Sequence, residues 1–111
     1  MQCLVNKVGG SRKARQFYNS LPKDGRLRRE IDQATELLKN KADIGDKIEK
    51  RKIPKEYIRD FSIDNLFRYK LGEGYRLLYT ILSDRRVKTC SVIDIVDHEA
   101  YEKLFGYGSD Y

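Results

Sequence analysis

The feature that most constrains the fold begins at Asn65, where the spacing of apolar residues changes from helical to alternating. The segments NLFRYKL, YRLLYTIL and VKTCSVIDIV read as strands, and GEG and SDRR between them read as tight turns. Three consecutive strands joined this way form an antiparallel meander. With GEG as a three-residue hairpin loop, Leu71 lies opposite Tyr75, Lys70 opposite Arg76, Tyr69 opposite Leu77 and Arg68 opposite Leu78. Because side chains alternate, Phe67, Tyr69, Leu71, Tyr75, Leu77, Tyr79 and Ile81 share one face, suited to packing on helices. The other face collects Arg68, Lys70 and Arg76, with Leu66, Leu78 and Thr80 around them.

The helices come from the first half of the chain. Residues 2–6 read as a short strand, ended by a turn at Gly9, Gly10 and Ser11. Ser11 can cap a helix in which Ala14, Phe17, Tyr18 and Leu21 recur at helical spacing until Pro22, Asp24 and Gly25 close it. Leu27, Ile31, Ala34, Leu37 and Leu38 form a second stripe of the same period, so the two helices make an antiparallel hairpin. Residues 39–52 read as a loop or irregular turn, and Pro54 opens a short helical turn through Tyr57 and Ile58. At the other end, DHEAYEKLFGY reads as a short helix capped by Asp97, with Tyr101, Leu104 and Phe105 on one side. A chain of 111 residues has room for one such core, so the expectation is a single α+β domain over residues 1–111.

Charge narrows the partners. Lys and Arg number 23 against 17 Asp and Glu, a formal charge of +6, which suits a polyanion and nucleic acid first among them. A solvated ionic surface can also come out basic, so position must decide. Cys3 and Cys90 are far apart, without a CxxC pair or a nearby His, and are expected to be reduced thiols packed in strands. Asp94 with Asp97 is the one weak acidic pair for a metal, and neither metal nor cofactor is expected. MQCLVNKVGG lacks the apolar stretch of a signal peptide and no run is long enough to span a bilayer, so the expected location is cytoplasmic, away from membranes.

Arg68, Lys70 and Arg76 lie within cross-strand reach of one another and repel, so folding alone gives little reason to gather them. A bound anion supplies one; pairing with Glu73, Asp94 or Asp97 at the surface supplies another. His98 stands where the last strand hands over to the last helix, and an imidazole exchanges protons near neutral pH. Tyr101, three residues on, lies on the same side of that helix, where a phenol can donate a hydrogen bond, stack on a base or simply fill the core. A further group, Lys47, Lys50, Arg51, Lys52, Lys55 and Arg59, is placed either to touch RNA backbone or to serve as a solvated loop.

Taken with the order strand, helical hairpin, meander and short C-terminal helix, RYKL-GEG-YRLLYTI followed by DHEAYEKLFGY resembles the RelE/ParE toxin superfamily. It is most similar to archaeal-type members ending in DHxxY and an LFGY tail. The resemblance implies a RelE-like fold and a ribosome-dependent mRNA endoribonuclease, held in a hetero-oligomer by a cognate acidic antitoxin. It also implies that Arg68 and Lys70 match the basic pair of the first meander strand, Arg76 the arginine after the hairpin, and Tyr101 the C-terminal tyrosine. The family's further basic residue upstream of that tyrosine has no counterpart, since Asp97, His98 and Glu99 occupy the stretch. Such an enzyme works without a metal: the RNA 2′-OH attacks the adjacent phosphorus, Arg76 and Arg68 hold the phosphorane charge, Lys70 attends the 2′-oxygen, and His98 or Tyr101 gives a proton to the leaving oxygen. Two other readings share the basic surface, a ParE-like module that binds DNA gyrase without chemistry and an inactive RNA-binding domain.

Overall fold

In the computed structural model, which describes residues 7–84 and 87–106, the alternation after Asn65 becomes β3 (Phe67–Lys70), β4 (Arg76–Asp84) and β5 (Val87–Val96). The β3–β4 register is the one parity predicts, with Arg68 opposite Leu78, Tyr69 opposite Leu77 and Lys70 opposite Arg76. The GEG segment forms a single 3₁₀ turn, with Glu73 and Gly74 at φ 59° and 81°, and the Leu71 N–H donates to the Tyr75 carbonyl at 2.9 Å.

Two strands extend the meander. β1 (Lys7–Gly10) runs parallel to β5, and β2 (Asp46–Lys47) runs antiparallel to β3, giving the order β1-β5-β4-β3-β2. The strand expected over residues 2–6 lies outside the described residues. Gly9 and Gly10, expected as a turn, instead pair with Ser91 and Val92 inside β1. A parallel ladder uses backbone groups alone, so glycines there carry no alternation for a sequence reading to find. The chain turns one residue later. The Ser11 N–H donates to the Val92 carbonyl, and the Ser11 hydroxyl donates to the Ile93 carbonyl at 2.6 Å while accepting from the Ala14 N–H that starts α1. Residues 39–52, expected as a loop, contain β2 and a 3₁₀ turn at Lys50–Lys52; a two-residue strand is too short to show a period.

The helices α1 (Arg12–Ser20) and α2 (Arg26–Asn40) cover one face of the sheet, where Ala14, Ile31, Ala34 and Leu38 pack with Phe67, Leu71, Leu77 and Tyr79. The stacked rings of Phe67 and Tyr79, 5.2 Å apart, sit in this core. The opposite face is the departure from expectation. Rather than an open charged surface, it bears a second core in which Leu66, Leu78, Ile93 and Val96 meet Ile48, Ile53, Tyr57, Ile63 and Tyr101. That core is roofed by α3 (Lys55–Phe61), which follows Pro54 as expected, and α4 (His98–Phe105), whose first turn is capped by Asp97 accepting from the Ala100 N–H. β4 is therefore buried on both sides at Leu77, Leu78, Tyr79 and Thr80, consistent with its unbroken LLY run. Among the described residues no helix is long and apolar enough to cross a membrane.

Candidate functional site

β3 and β4 deliver two arginines to the underside of α4. Arg68 projects from mid-β3 and donates from Nη1 to the Tyr101 hydroxyl at 2.6 Å. Arg76, the first residue of β4, donates from Nη1 to the carbonyls of Gly74 at 2.9 Å and Tyr75 at 3.3 Å. The guanidinium carbons lie 5.8 Å (Arg68) and 5.7 Å (Arg76) from the centre of the Tyr101 ring, within the range for attraction of a cation to an aromatic face. Both arginines are largely withdrawn from solvent, Arg68 to 15% side-chain exposure and Arg76 to 9% overall. Lys70, opposite Arg76 at the end of β3, stays exposed.

Tyr101 is both a core residue and a member of this group. It is 2% exposed, and its ring centre lies 4.5 Å from that of Phe105. Its hydroxyl is turned toward the arginines, and a phenol between two guanidiniums is an electron-rich surface held among positive charges. His98 is placed differently. At the start of α4 it is 54% exposed, with Nε2 3.5 Å from the Glu102 carboxylate, and its Cβ stands against Gly74 of the hairpin turn. The shared side expected of His98 and Tyr101 thus divides: the histidine faces solvent and the tyrosine faces the core.

A pocket of about 180 Å³ opens beside Arg68 and Tyr101, with Lys47, Glu49, Lys52 and Phe105 in its walls. Of the basic loop group, Lys47 and Lys52 line it, whereas Lys50, Arg51, Lys55 and Arg59 do not. Arg51 and Lys52 approach Glu49 at 2.9 and 3.8 Å, and the Arg51 contact, with Lys52 assisting, holds the Glu49 carboxyl below the usual carboxylate range. Arg59 does the same for Asp60 at 2.9 Å. Lys50 and Lys55 are exposed. A larger groove, about 350 Å³, lies between α1, α2 and the β1–β5 edge; its walls include Ala14, Tyr18, Ile31 and Val92, and none of the nominated cations reaches it.

The acids expected to neutralise the arginines have other work. Asp94, 3% exposed in β5, accepts from the Tyr57 hydroxyl at 3.0 Å and from the Ile95 N–H, and its carboxylate lies 3.1 Å from Lys13 Nζ. Burial, reinforced by Asp94, raises the Tyr57 phenol far above its ordinary value and keeps it a donor. Asp97 caps α4, so the Asp94–Asp97 pair is not brought together as a ligand set, and among the described residues no three His, Cys, Asp or Glu gather as a metal-holding group. The acid beside Arg68 is Asp46 of β2, 3.7 Å from Nε. A sequence reading missed Asp46 because β2 is so short. Asp94 did leave a signal, a lone carboxylate in the apolar run VIDIV. Cys90 is buried in β5, which pushes its thiol up to about 11; Cys3 lies outside the described residues.

No protein-family model, no curated protein and no solved structure matches this chain.

Proposed function

We propose that the protein is a toxin of the RelE type, with a RelE-like fold, that cleaves messenger RNA on the ribosome and is restrained in the cytoplasm by an acidic antitoxin. The observation that carries this reading is the grouping of Arg68 and Arg76 around the buried Tyr101, next to a pocket walled by Lys47 and Lys52. Gathering that much positive charge opposes folding, and a bound phosphodiester offsets it.

In the proposed reaction the substrate supplies its own nucleophile. The exposed Lys70 ammonium attends the 2′-hydroxyl, which loses its proton and forms a bond to the adjacent phosphorus. The guanidiniums of Arg76 and Arg68 take up the charge that grows on the non-bridging oxygens. The bond to the 5′-oxygen then breaks, and that oxygen receives a proton from an acid. Tyr101, hydrogen-bonded to Arg68, is the group nearest those charges; His98, beside the hairpin turn, is the other donor in the region. The cations do the electrostatic work on this route.

A second reading is favoured by a specific observation. Tyr101 is buried and His98 pairs with Glu102 at the surface, so neither is presented openly as an acid. That arrangement suits a ParE-like toxin that binds DNA gyrase without chemistry, or an RNA-binding domain without activity. Mapping the 5′ ends of cellular mRNA after a brief pulse of expression separates them. The nuclease reading expects growth arrest with new 5′ ends that disappear in Arg76→Ala. Growth arrest with intact messages and stalled DNA replication assigns the protein to the gyrase-binding class instead.

A further inference from the structure

We propose that Glu30 of α2 is a positioning residue for Arg76, acting through the hairpin turn between β3 and β4. The inference rests on the reading of Arg76 as the group that binds the scissile phosphate, and it adds a residue from the opposite side of the molecule to that site.

The connection is a continuous line of hydrogen bonds. A Glu30 carboxylate oxygen accepts the N–H of Gly72, the first residue of the turn. The other oxygen is held by Arg26 Nε, one helical turn back, at 3.1 Å. The carboxylate sits so close to the turn that a Cβ on Gly72 would fall 2.7 and 2.8 Å from its two oxygens, a space that only glycine leaves open. From Gly72 the turn passes through Glu73 and Gly74, both in left-handed backbone, and closes by the Tyr75 N–H donating to the Gly72 carbonyl at 3.2 Å. The Gly74 carbonyl then receives the Arg76 guanidinium at 2.9 Å, and that guanidinium lies 5.7 Å from the Tyr101 ring. A helix carboxylate thus fixes an amide, the amide fixes a three-residue turn, and the turn presents the carbonyl that aims the arginine.

Charge makes the first link firm. A bond from an N–H to an ionised carboxylate is stronger than one to a neutral carbonyl. The Gly72 N–H is the largest influence holding the Glu30 carboxyl below the usual carboxylate range; Arg26 assists, against desolvation. Glu30 is not needed to seat α2, whose buried stripe is Ile31, Ala34 and Leu38. Its carboxylate is spent on a turn that otherwise carries a non-glycine residue, Glu73, at positive φ. A wandering turn carries the Gly74 carbonyl with it, and a long arginine side chain loses its aim before it loses its charge.

The test is a double-mutant cycle in the full chain, read by single-turnover RNA cleavage, with nuclear magnetic resonance of the Gly72 amide and the Arg76 guanidinium protons alongside. Glu30→Ala is expected to slow cleavage roughly 10- to 100-fold, the loss typical of a catalytic group that is present but misoriented, with RNA binding nearly unchanged. Glu30→Gln keeps an acceptor for Gly72 and recovers part of the rate. In an Arg76→Ala background, Glu30→Ala is expected to cost nothing further. Equal losses in both backgrounds would overturn the proposal, because Glu30 would then act independently of Arg76. The magnetic resonance arm stands apart from the nuclease reading. In Glu30→Ala the Gly72 amide proton moves upfield and the Arg76 protons exchange faster with water, whether or not the protein cuts RNA. If Arg76 exchange is unaltered in Glu30→Ala, or in Glu30→Gln should the alanine variant misfold, the positioning role is refuted. If it changes and no RNA is cut, the positioning role holds and the nuclease reading falls.

Discussion

The two faces of the sheet are built on the same alternation and reach opposite results. Under α1 and α2 every inward position is apolar or aromatic, and the face closes as an uninterrupted core. Under α3 and α4 the inward positions alternate between Leu66 or Leu78 and Arg68 or Arg76, so the second core is punctuated by guanidiniums that must find oxygen and ring partners within it. The first face uses burial to hold the chain together. The second gives up part of that burial to hold charge in a fixed place.

The largest effect that sharpens this contrast is expected from the first face. Leu77→Ala empties a fully buried site beneath the helical hairpin and should cost about 2–5 kcal/mol of unfolding free energy, measured by urea denaturation. The matching change on the second face is Arg76→Ala. It should lower single-turnover cleavage by roughly 10² to 10³, the loss of one transition-state donor, while Lys50→Ala only weakens RNA binding and lessens its salt dependence by about one ion. If folded Arg76→Ala and Lys50→Ala proteins cut at the same saturated rate, the second face is not the active face.

A smaller effect tests how the first face supports the second. The Tyr79 hydroxyl, reached from the first core, donates to the Ala42 carbonyl at 2.7 Å and accepts from the Gly45 N–H at 3.0 Å, pinning the segment that leads to β2 and Lys47. Tyr79→Phe should cost about 1 kcal/mol at neutral pH. Burial pushes this phenol up to about 12, against an ordinary value of 10.0. The unfolded chain therefore loses the proton first, and the Tyr79 contribution, complete below the ordinary value, is lost as pH rises toward about 12. Denaturation midpoints recorded from pH 9 upward should fall less steeply for Tyr79→Phe than for the parent protein; parallel curves would show that this hydroxyl is not protected by the fold.

What the sequence revealed follows the same division. Parity and one three-residue turn were enough to set the β3–β4 register and the membership of the first core, because each position there answers only to burial. Leu66 and Leu78 looked like neighbours of an open charged face, since no local pattern announces that α3 and α4 return to cover them. Tyr101 offered two roles in the sequence, core and site, and its placement combines them. β1 and β2 were lost for different reasons, the one because glycines carry no alternation and the other because two residues carry no period. Glu30 left no trace at all, as its partner is a backbone amide 42 residues away.

The parallel pairing of β1 with β5 also places the protein's assembly in time. The Ser11 hydroxyl and the Ile93 carbonyl it meets are 82 residues apart. At about 5–20 residues per second, synthesis takes roughly 4–16 s to cross that interval. Until then the growing chain can form the helical hairpin, whose contacts are local, but not the edge that completes the sheet. The α1–α2 unit therefore waits for its platform, and Arg68 and Arg76 acquire the ring of Tyr101 only after α4, which follows β5, has emerged.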